Sequence, residues 1–352
     1  MIKNTFRLGV LALAFALIFA ILFMVYSTIT FYNPDKEITL QASQNADTVA
    51  VSTPYQLITW NIGYAGLGDN MDFFYDGGKR TRDTKSRTLE NLDSIKKFLT
   101  LNRTDFIMLQ EVDFGSQRSY YINQVQEISQ TLNYYTFFAT NYQVSFVPVP
   151  LKNPMGNVSS GIMTLSRFTP MNATRIQLPG LSPWPNRVFN LRRCLLVTRF
   201  PVSNGRKLVL INTHNSAFEN DSLKMAEMRF IRQLALFEYG KGNYVIIGGD
   251  WNQLPPNFPP DKFGNAYETK AFKPLTIDSD FMPIGWQWAF DPSKPTNRYL
   301  DRPFGKSCRT IILDFFLLSP NVHVIDISTI NLNFKHSDHN PVKLTFALNP
   351  IQ

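Results

Sequence analysis

Five separated segments of this 352-residue chain end apolar runs in groups that can bind a cation or move a proton. Thr59-Trp60-Asn61-Ile62-Gly63 closes a strand-like run with an amide, which can orient a metal-bound carboxylate or water or simply begin a turn. Met108-Leu109-Gln110-Glu111-Val112-Asp113 puts Glu111 at the end of an apolar run. A carboxylate there is costly unless it is ion-paired or holds a metal. Ile211-Asn212-Thr213-His214-Asn215 offers an imidazole that either donates to a phosphoryl oxygen or is structural. Val245 to Asn252 reads VIIGGDWN. Its two glycines permit close backbone approach, and Asp250 and Asn252 are displayed together, able to position a nucleophile and an oxyanion. Lys335 to Val342 reads KHSDHNPV and sets Asp338, a metal-proximal acid, beside His339, the side chain best suited to proton transfer near neutrality. Upstream, Asp314 sits inside the apolar run LDFF and needs a partner; an imidazole N–H would serve.

The elements that must position these groups are short. YQLITWNI, DFIMLQEVD, SGIMTLSRF, CLLVTRFPV, KLVLINTHN, NYVIIGGDW, TIILDFFLLS and PVKLTFAL are expected to be strands, several of them buried on both faces. Amphipathic spacing predicts helices over Ser86–Leu101 (Leu89, Leu92, Ile95, Phe98, Leu99), Tyr121–Leu132 and Ser222–Tyr239 (Met225, Met228, Ile231, Leu234, Leu236). Strands outnumber helices and the helices fall between them, which predicts packed sheets with helices outside. Loops at 145–160, 178–192 and 254–306 are long enough to build a substrate rim.

The ordered series Asn61, Glu111, His214, Asp250/Asn252, Asp314, Asp338/His339 resembles the endonuclease/exonuclease/phosphatase superfamily, over about residues 55–348, most specifically in GDWN and SDHNPV. That family includes exonuclease III-like and pancreatic-type deoxyribonucleases, inositol-polyphosphate 5-phosphatases and bacterial sphingomyelinases. The resemblance implies an α/β fold, a four-layer sandwich of two mixed sheets flanked by helices, with the site at the sheets' upper edge. It implies a phosphoester, chiefly phosphodiester, hydrolase using Mg2+ or Mn2+. Glu111 would ligate the metal, helped by Asn61 and Asp338. His339, oriented by Asp314, would be base or phosphate stabiliser, and Asp250 would align or deprotonate water. Asn252 and His214 would hold phosphoryl oxygens. The alternative is a catalytically silent relative that binds a phosphorylated ligand or partner. Two departures stand against a DNA-repair-type nuclease: Gly63 replaces an acid often found two after the Asn, and no active-site Tyr is located.

Composition bounds the setting. Hydrophobic residues make up 44% and so allow a sizeable core. The two cysteines, Cys194 and Cys308, both in apolar strand-like runs, are too few for a disulfide framework or zinc site and are expected to be buried thiols. Leu8 to Tyr26 carries no charge and is near the length that spans a bilayer, whereas a cleaved signal's apolar core is usually shorter. An uncleaved anchor at 8–26 is therefore expected, with residues 1–7 cytoplasmic, a spacer at 27–53 and an extracytoplasmic catalytic domain at 54–352. Lys3 and Arg7 set that orientation. The net charge is +8, of which +6 remains once Lys3 and Arg7 are set aside, and it suits an anionic partner: nucleic acid, phospholipid or a phosphorylated small molecule. Lys79, Arg80, Arg82, Arg118, Arg187, Arg192 and Arg193 either neutralise substrate phosphates or are solvated. Trp184, Trp251, Trp286 and Trp288 could stack on a base or dip into lipid, Trp251 being expected to touch the site. Asn102, Asn157, Asn172 and Asn220 lie in glycosylation sequons, relevant only in a eukaryotic secretory pathway. A monomer is expected.

Overall fold

A computed structural model describes residues 2–42, 45–217, 221–264, 274–305 and 307–350. The sequon at Asn220 and parts of the 254–306 loop lie outside the described residues. In chain order the strands are β1 (Glu37–Ala42), β2 (Tyr55–Asn61), β3 (Phe106–Asp113), β4 (Tyr135–Val147), β5 (Gly156–Ser166), β6 (Asn172–Gln177), β7 (Cys194–Pro201), β8 (Lys207–His214), β9 (Tyr244–Asp250), β10 (Gln287–Ala289), β11 (Asn297–Arg298), β12 (Thr310–Ile311), β13 (Asp314–Leu318), β14 (Val322–Thr329) and β15 (Val342–Leu348). The helices are α1 (Ile2–Ile29), α2 (Lys85–Leu101), α3 (Gln124–Leu132) and α4 (Asp221–Gly240).

Period-two alternation within the apolar runs builds the layers. On β2, Leu57 faces between the sheets while Ile58 and Trp60 face α2. On β9, Tyr244 and Ile246 face between the sheets while Val245 and Ile247 meet Met228, Ile231 and Ala235 of α4. The result is α4, a seven-stranded sheet (β1-β6-β7-β8-β9-β13-β10), a six-stranded sheet (β14-β15-β2-β3-β5-β4), then α2 and α3. Both sheets are mixed: β2 with β3 and β8 with β9 are the parallel pairs. This is the four-layer sandwich expected from the sequence. Each fully buried Leu, Ile or Phe side chain between these layers contributes roughly 1.5–3 kcal/mol.

Several boundaries differ from the sequence expectation. The 27–53 segment is not a free spacer, because β1 pairs antiparallel with β6 and Val49 is buried and bridged to Val202. An edge strand held chiefly by ladder hydrogen bonds needs little apolar signal, and β1 has little. β4 and β14, with mixed exposed and buried positions, were not anticipated, and β4 and β5 turn much of the 145–160 loop into a hairpin. Helix α3 begins at Gln124, not Tyr121: Tyr120 and Tyr121 are left-handed (φ 59° and 60°) and the Asn123 side chain caps the first turn. Leu89 and Met225 point outward and are exposed. Cys194 starts β7 and is buried, whereas Cys308 lies in a loop, half-buried; both are free. Trp251 does not touch the site. It is fully buried, stacked on Phe315 (5.4 Å, 8°), and donates from Nε1 to the Phe315 carbonyl.

The Asn4–Ile29 stretch of α1 is long and apolar enough to cross a membrane, and its side chains are almost all exposed.

Candidate active site

The sheets' parallel strands end at one edge, and the predicted groups meet there. In the seven-stranded sheet, His214, Asp250 and Asp314 lie side by side in register on β8, β9 and β13. The glycines before Asp250 are required by that packing. A Cβ on Gly248 would sit 2.5 Å from the Phe316 ring, and one on Gly249 (φ 150°) only 1.9 Å from the Thr213 carbonyl oxygen. The six-stranded sheet supplies Asn61 at the end of β2 and Glu111 on β3. Glu111 occupies a bulge where the β3–β5 register shifts between Leu109 and Val112, and its φ is 53°. At that strained position the side chain is half-buried in an otherwise buried strand and lines the cavity at the sheet edge. Asp338 and His339 precede β15. Trp60 Nε1 donates to the His339 carbonyl (2.9 Å), and Ser337 Oγ donates to the Asn61 carbonyl (2.8 Å).

Hydrogen bonds tie the two sheets' contributions together. Asn61 Nδ2 donates to Glu111 Oε1 (3.1 Å) and to Asp250 Oδ2 (3.0 Å), while its Oδ1 accepts from Gly63 N (3.0 Å). Gly63, at φ 50°, would place a Cβ 2.7 Å from Asp338 Oδ1. The acid absent from this position thus has no room here. Asn252, also left-handed (φ 51°), donates its backbone N–H to Asp250 Oδ1 (2.9 Å) and its amide to the Asn215 carbonyl (2.8 Å). Beneath them, Gln110 Nε2 donates to Asn212 Oδ1 (2.8 Å), and Asn212 Nδ2 donates to the Leu109 and Met163 carbonyls (3.1 and 2.9 Å). This buried bridge locks β3 to β8.

His339 is the electrostatic centre. Its Nδ1 lies 2.7 Å from Asp314 Oδ2, and its Nε2 lies 3.7 Å from Asp250 Oδ2 and 3.8 Å from Asp338 Oδ2. Burial alone would lower its pKa, but Asp314, Asp338 and Asp250 together hold it well above the ordinary imidazole value. His214, 3.6 Å from Asp250 Oδ2, is pushed well below that value by burial and by Arg193. Burial lifts both Asp250 and Asp338 to about 6; the Asp314 charge adds to the first and the Glu111 charge to the second, against the attraction of His339. Among the described residues, Asp250, Asp314 and His339 bring potential ligand atoms within 4.8 Å of one another.

Glu111, His214, Asp250, Asn252, Asp338 and His339 line a cavity of about 930 Å3; Asn61 and Asp314 stand behind it. Sequence reasoning missed Asn297, whose side-chain amide lies 2.9 Å from His339 Nε2 and which also lines the cavity. It sits in a two-residue strand with no apolar run to flag it. Of the candidate cations, Arg118 and Arg193 both line the cavity: Arg118 is paired with Asp113 (2.9 Å) and lies over the Tyr64 ring, and Arg193 donates to the His214 carbonyl (3.3 Å).

The arrangement is a two-sheet α/β sandwich with acids, amides and two histidines gathered at one edge of its sheets. The Endonuclease/Exonuclease/phosphatase family profile matches residues 58–339, and the chain belongs to that family, whose members are phosphoesterases. No curated protein matches by sequence. Among solved structures, the endonuclease/exonuclease/phosphatase from Beutenbergia cavernae DSM 12333 is similar at 16% identity, over 84% of this chain and 72% of its own, with a TM-score of 0.53. The family member from Bacteroides vulgatus is similar at 15% identity, over 85% and 100%, with a TM-score of 0.53. TDP2 from D. rerio, complexed with single strand DNA product, is similar at 16% identity, over 84% and 99%, also at 0.53. At these identities the likeness is one of fold.

Proposed function

We propose that this chain is a divalent-metal-dependent phosphoester hydrolase, cleaving phosphodiesters, held at a membrane by α1 with its catalytic domain extracytoplasmic. The observation that carries the reading is the His339 cluster: an imidazole paired to a buried carboxylate and flanked by two further acids facing a cavity. The carboxylates Glu111, Asp250 and Asp338 form a donor set that fits a hard cation, whose charge would offset their crowding. Asp314 and His339 are engaged with each other, so Glu111 and Asp338, with Asp250 adjoining, would hold Mg2+ or Mn2+, and Asn61 would hold the Glu111 and Asp250 carboxylates in place. When bound, the metal would polarise a phosphoryl oxygen.

The chain's own groups supply the rest. Asp250 orients the attacking water and accepts its proton as the P–O ester bond breaks. His339, kept cationic by Asp314, stabilises charge on the phosphoryl group, and His214, Asn252 and Asn297 add hydrogen-bonding groups around it. TDP2's DNA product is that protein's; the nucleic acid, phospholipid and small phosphoester classes are all compatible with this chemistry.

The test is turnover of bis-4-nitrophenyl phosphate with Mg2+ or Mn2+. Turnover should vanish with chelator, return with metal, and be lost in His339→Ala while the protein stays folded. No metal-dependent turnover on this or a panel of natural phosphoesters would instead favour a silent phospholigand-binding relative.

A further inference from the structure

The cavity that reaches His339 and Asp250 has a second, apolar wall, and the apolar helix α1 packs against it. Phe189, Leu191, Val147 and Met155 line this part of the cavity and belong to one hydrophobic cluster with Tyr142 and Phe73. Phe23 of α1 stacks on Phe189 (5.9 Å, 14°) and meets Phe146 edge-on (6.2 Å, 84°). Trp184 Nε1 donates to Thr28 Oγ1 (3.2 Å), and Arg192 donates to Asn33 Oδ1 (3.1 Å) just beyond the helix. The anchor's last turns therefore abut the cavity wall instead of leading to a remote tether.

Large apolar side chains surround this contact without cover. Leu151 is 90% exposed at the β4–β5 hairpin tip, Trp184 is 54% exposed, and Phe146, Val149 and Leu181 are also exposed. A collar of exposed apolar side chains of this kind needs an apolar partner. Its continuity with a helix able to cross a membrane fixes that partner as the bilayer surface, with Trp184 at the headgroup level. Leu181 and Val149 belong both to the collar and to the cavity lining, so the apolar path continues from the surface to the catalytic groups. A nucleic-acid strand would call for a basic groove with stacking rings. Here the two lining arginines are already engaged, Arg118 with Asp113 and Arg193 with the His214 carbonyl, and the wall below the collar is built from the apolar cluster of Tyr142, Val147, Met155, Phe189 and Leu191.

We propose that this cavity takes the hydrocarbon chain of an amphiphilic phosphoester drawn from the membrane that holds α1, with its phosphoryl group placed at His339 and Asp250. The substrate class is a lipid phosphoester; the proposal rests on the hydrolase reading of the same site.

Two probes separate the two. Dodecylphosphonate carrying a diazirine at its chain end has a P–C bond that does not hydrolyse, so it reports occupancy without turnover. Photolysis with the full chain in phosphatidylcholine nanodiscs should label peptides within 142–155 and 178–191, and excess dodecylphosphonate, but not methylphosphonate, should remove the label. Label confined to α1, or indifferent to competition, overturns the proposal. The second probe is a series of 4-nitrophenyl alkyl phosphodiesters. From methyl to dodecyl, kcat/KM should rise by about tenfold or more as methylenes are buried, and Leu181→Asp should bring the dodecyl-to-methyl ratio back toward one. A flat series, or DNA cleaved in preference to the dodecyl ester, overturns the lipid assignment and leaves the hydrolase reading standing. Competed labelling with no turnover of any phosphoester leaves the cavity assignment standing and removes hydrolysis.

Discussion

Replacing Asp314 with Asn tests the catalytic reading most directly, because it removes one charge and almost no volume. Asp314 is fully buried and lies 2.7 Å from His339 Nδ1. At an effective dielectric of about 20, two unit charges at that distance interact by roughly 6 kcal/mol, a gross upper figure. Asp250 and Asp338 remain at 3.7 and 3.8 Å, so part of the field that keeps the ring protonated survives. The Asn amide can also present N–H to Nδ1 and favour the wrong tautomer. A loss of about 3–5 kcal/mol of transition-state stabilisation follows, or about 10²- to 10⁴-fold in kcat at ~1.36 kcal/mol per factor of ten. The backbone N–H groups of Leu313 and Asp314 donate to Thr296 Oγ1 (2.9 and 3.0 Å), which the substitution leaves intact, so the fold should persist. The assay is the pH–rate profile on bis-4-nitrophenyl phosphate with saturating Mg2+, alongside circular dichroism and the His339 imidazole NMR signal. A folded Asp314→Asn protein within a few-fold of wild-type kcat across the profile would refute a cationic, Asp314-supported His339.

Asn212→Ala should cost about 3–4 kcal/mol in thermal or urea unfolding, because it removes the buried hydrogen bonds to Gln110 and to the Leu109 and Met163 carbonyls; a cost under ~1 kcal/mol would deny the bridge between sheets. Gly63→Ala should lose at least about tenfold in turnover through collision with Asp338, whereas Gly205→Ala, with a positive φ but open space around it, should cost only ~1 kcal/mol of stability; equal activity loss in both would rule out the collision. Glu238 is held below the usual carboxylate range: burial opposes this, but Arg199 (2.7 and 3.1 Å) and Asn243 (2.8 Å) prevail. A depressed folded pKa gives stability that is present above the ordinary Glu value and lost as pH falls through the folded one. Wild type should therefore lose about 1 kcal/mol more than Glu238→Gln between pH 6 and 3, and parallel pH–stability curves would count against it. Burial pushes the Cys194 thiol to about 11, so it should resist alkylation at pH 8 until the chain unfolds; rapid labelling in the native state would contradict its burial.

The apolar runs of the sequence made the packed sheets with outer helices legible, and the motifs at their ends named the residues that meet at the sheet edge. Two-sided apolar runs can only be strands buried between a helix layer and a second sheet, and the polar residue ending each run must then lie at a common edge. Glu111, Asp250 and Asn252 were legible for that reason and Asp338 and His339 from the SDHNPV motif, while Asn61, His214 and Asp314 were read more from the family resemblance. Tertiary structure decided what local pattern cannot encode. The bulge that aims Glu111 depends on its β5 partner strand, and the collision that makes Gly63 necessary involves Asp338 from the far end of the chain. Asn297 reaches His339 from a two-residue strand with no periodicity of its own. Trp251, adjacent to Asp250, went to the core because successive residues there point to opposite faces. The long apolar helix α1 was plain from its composition, but its contact with the cavity wall through Phe23 and Phe189 joins residues far apart in sequence.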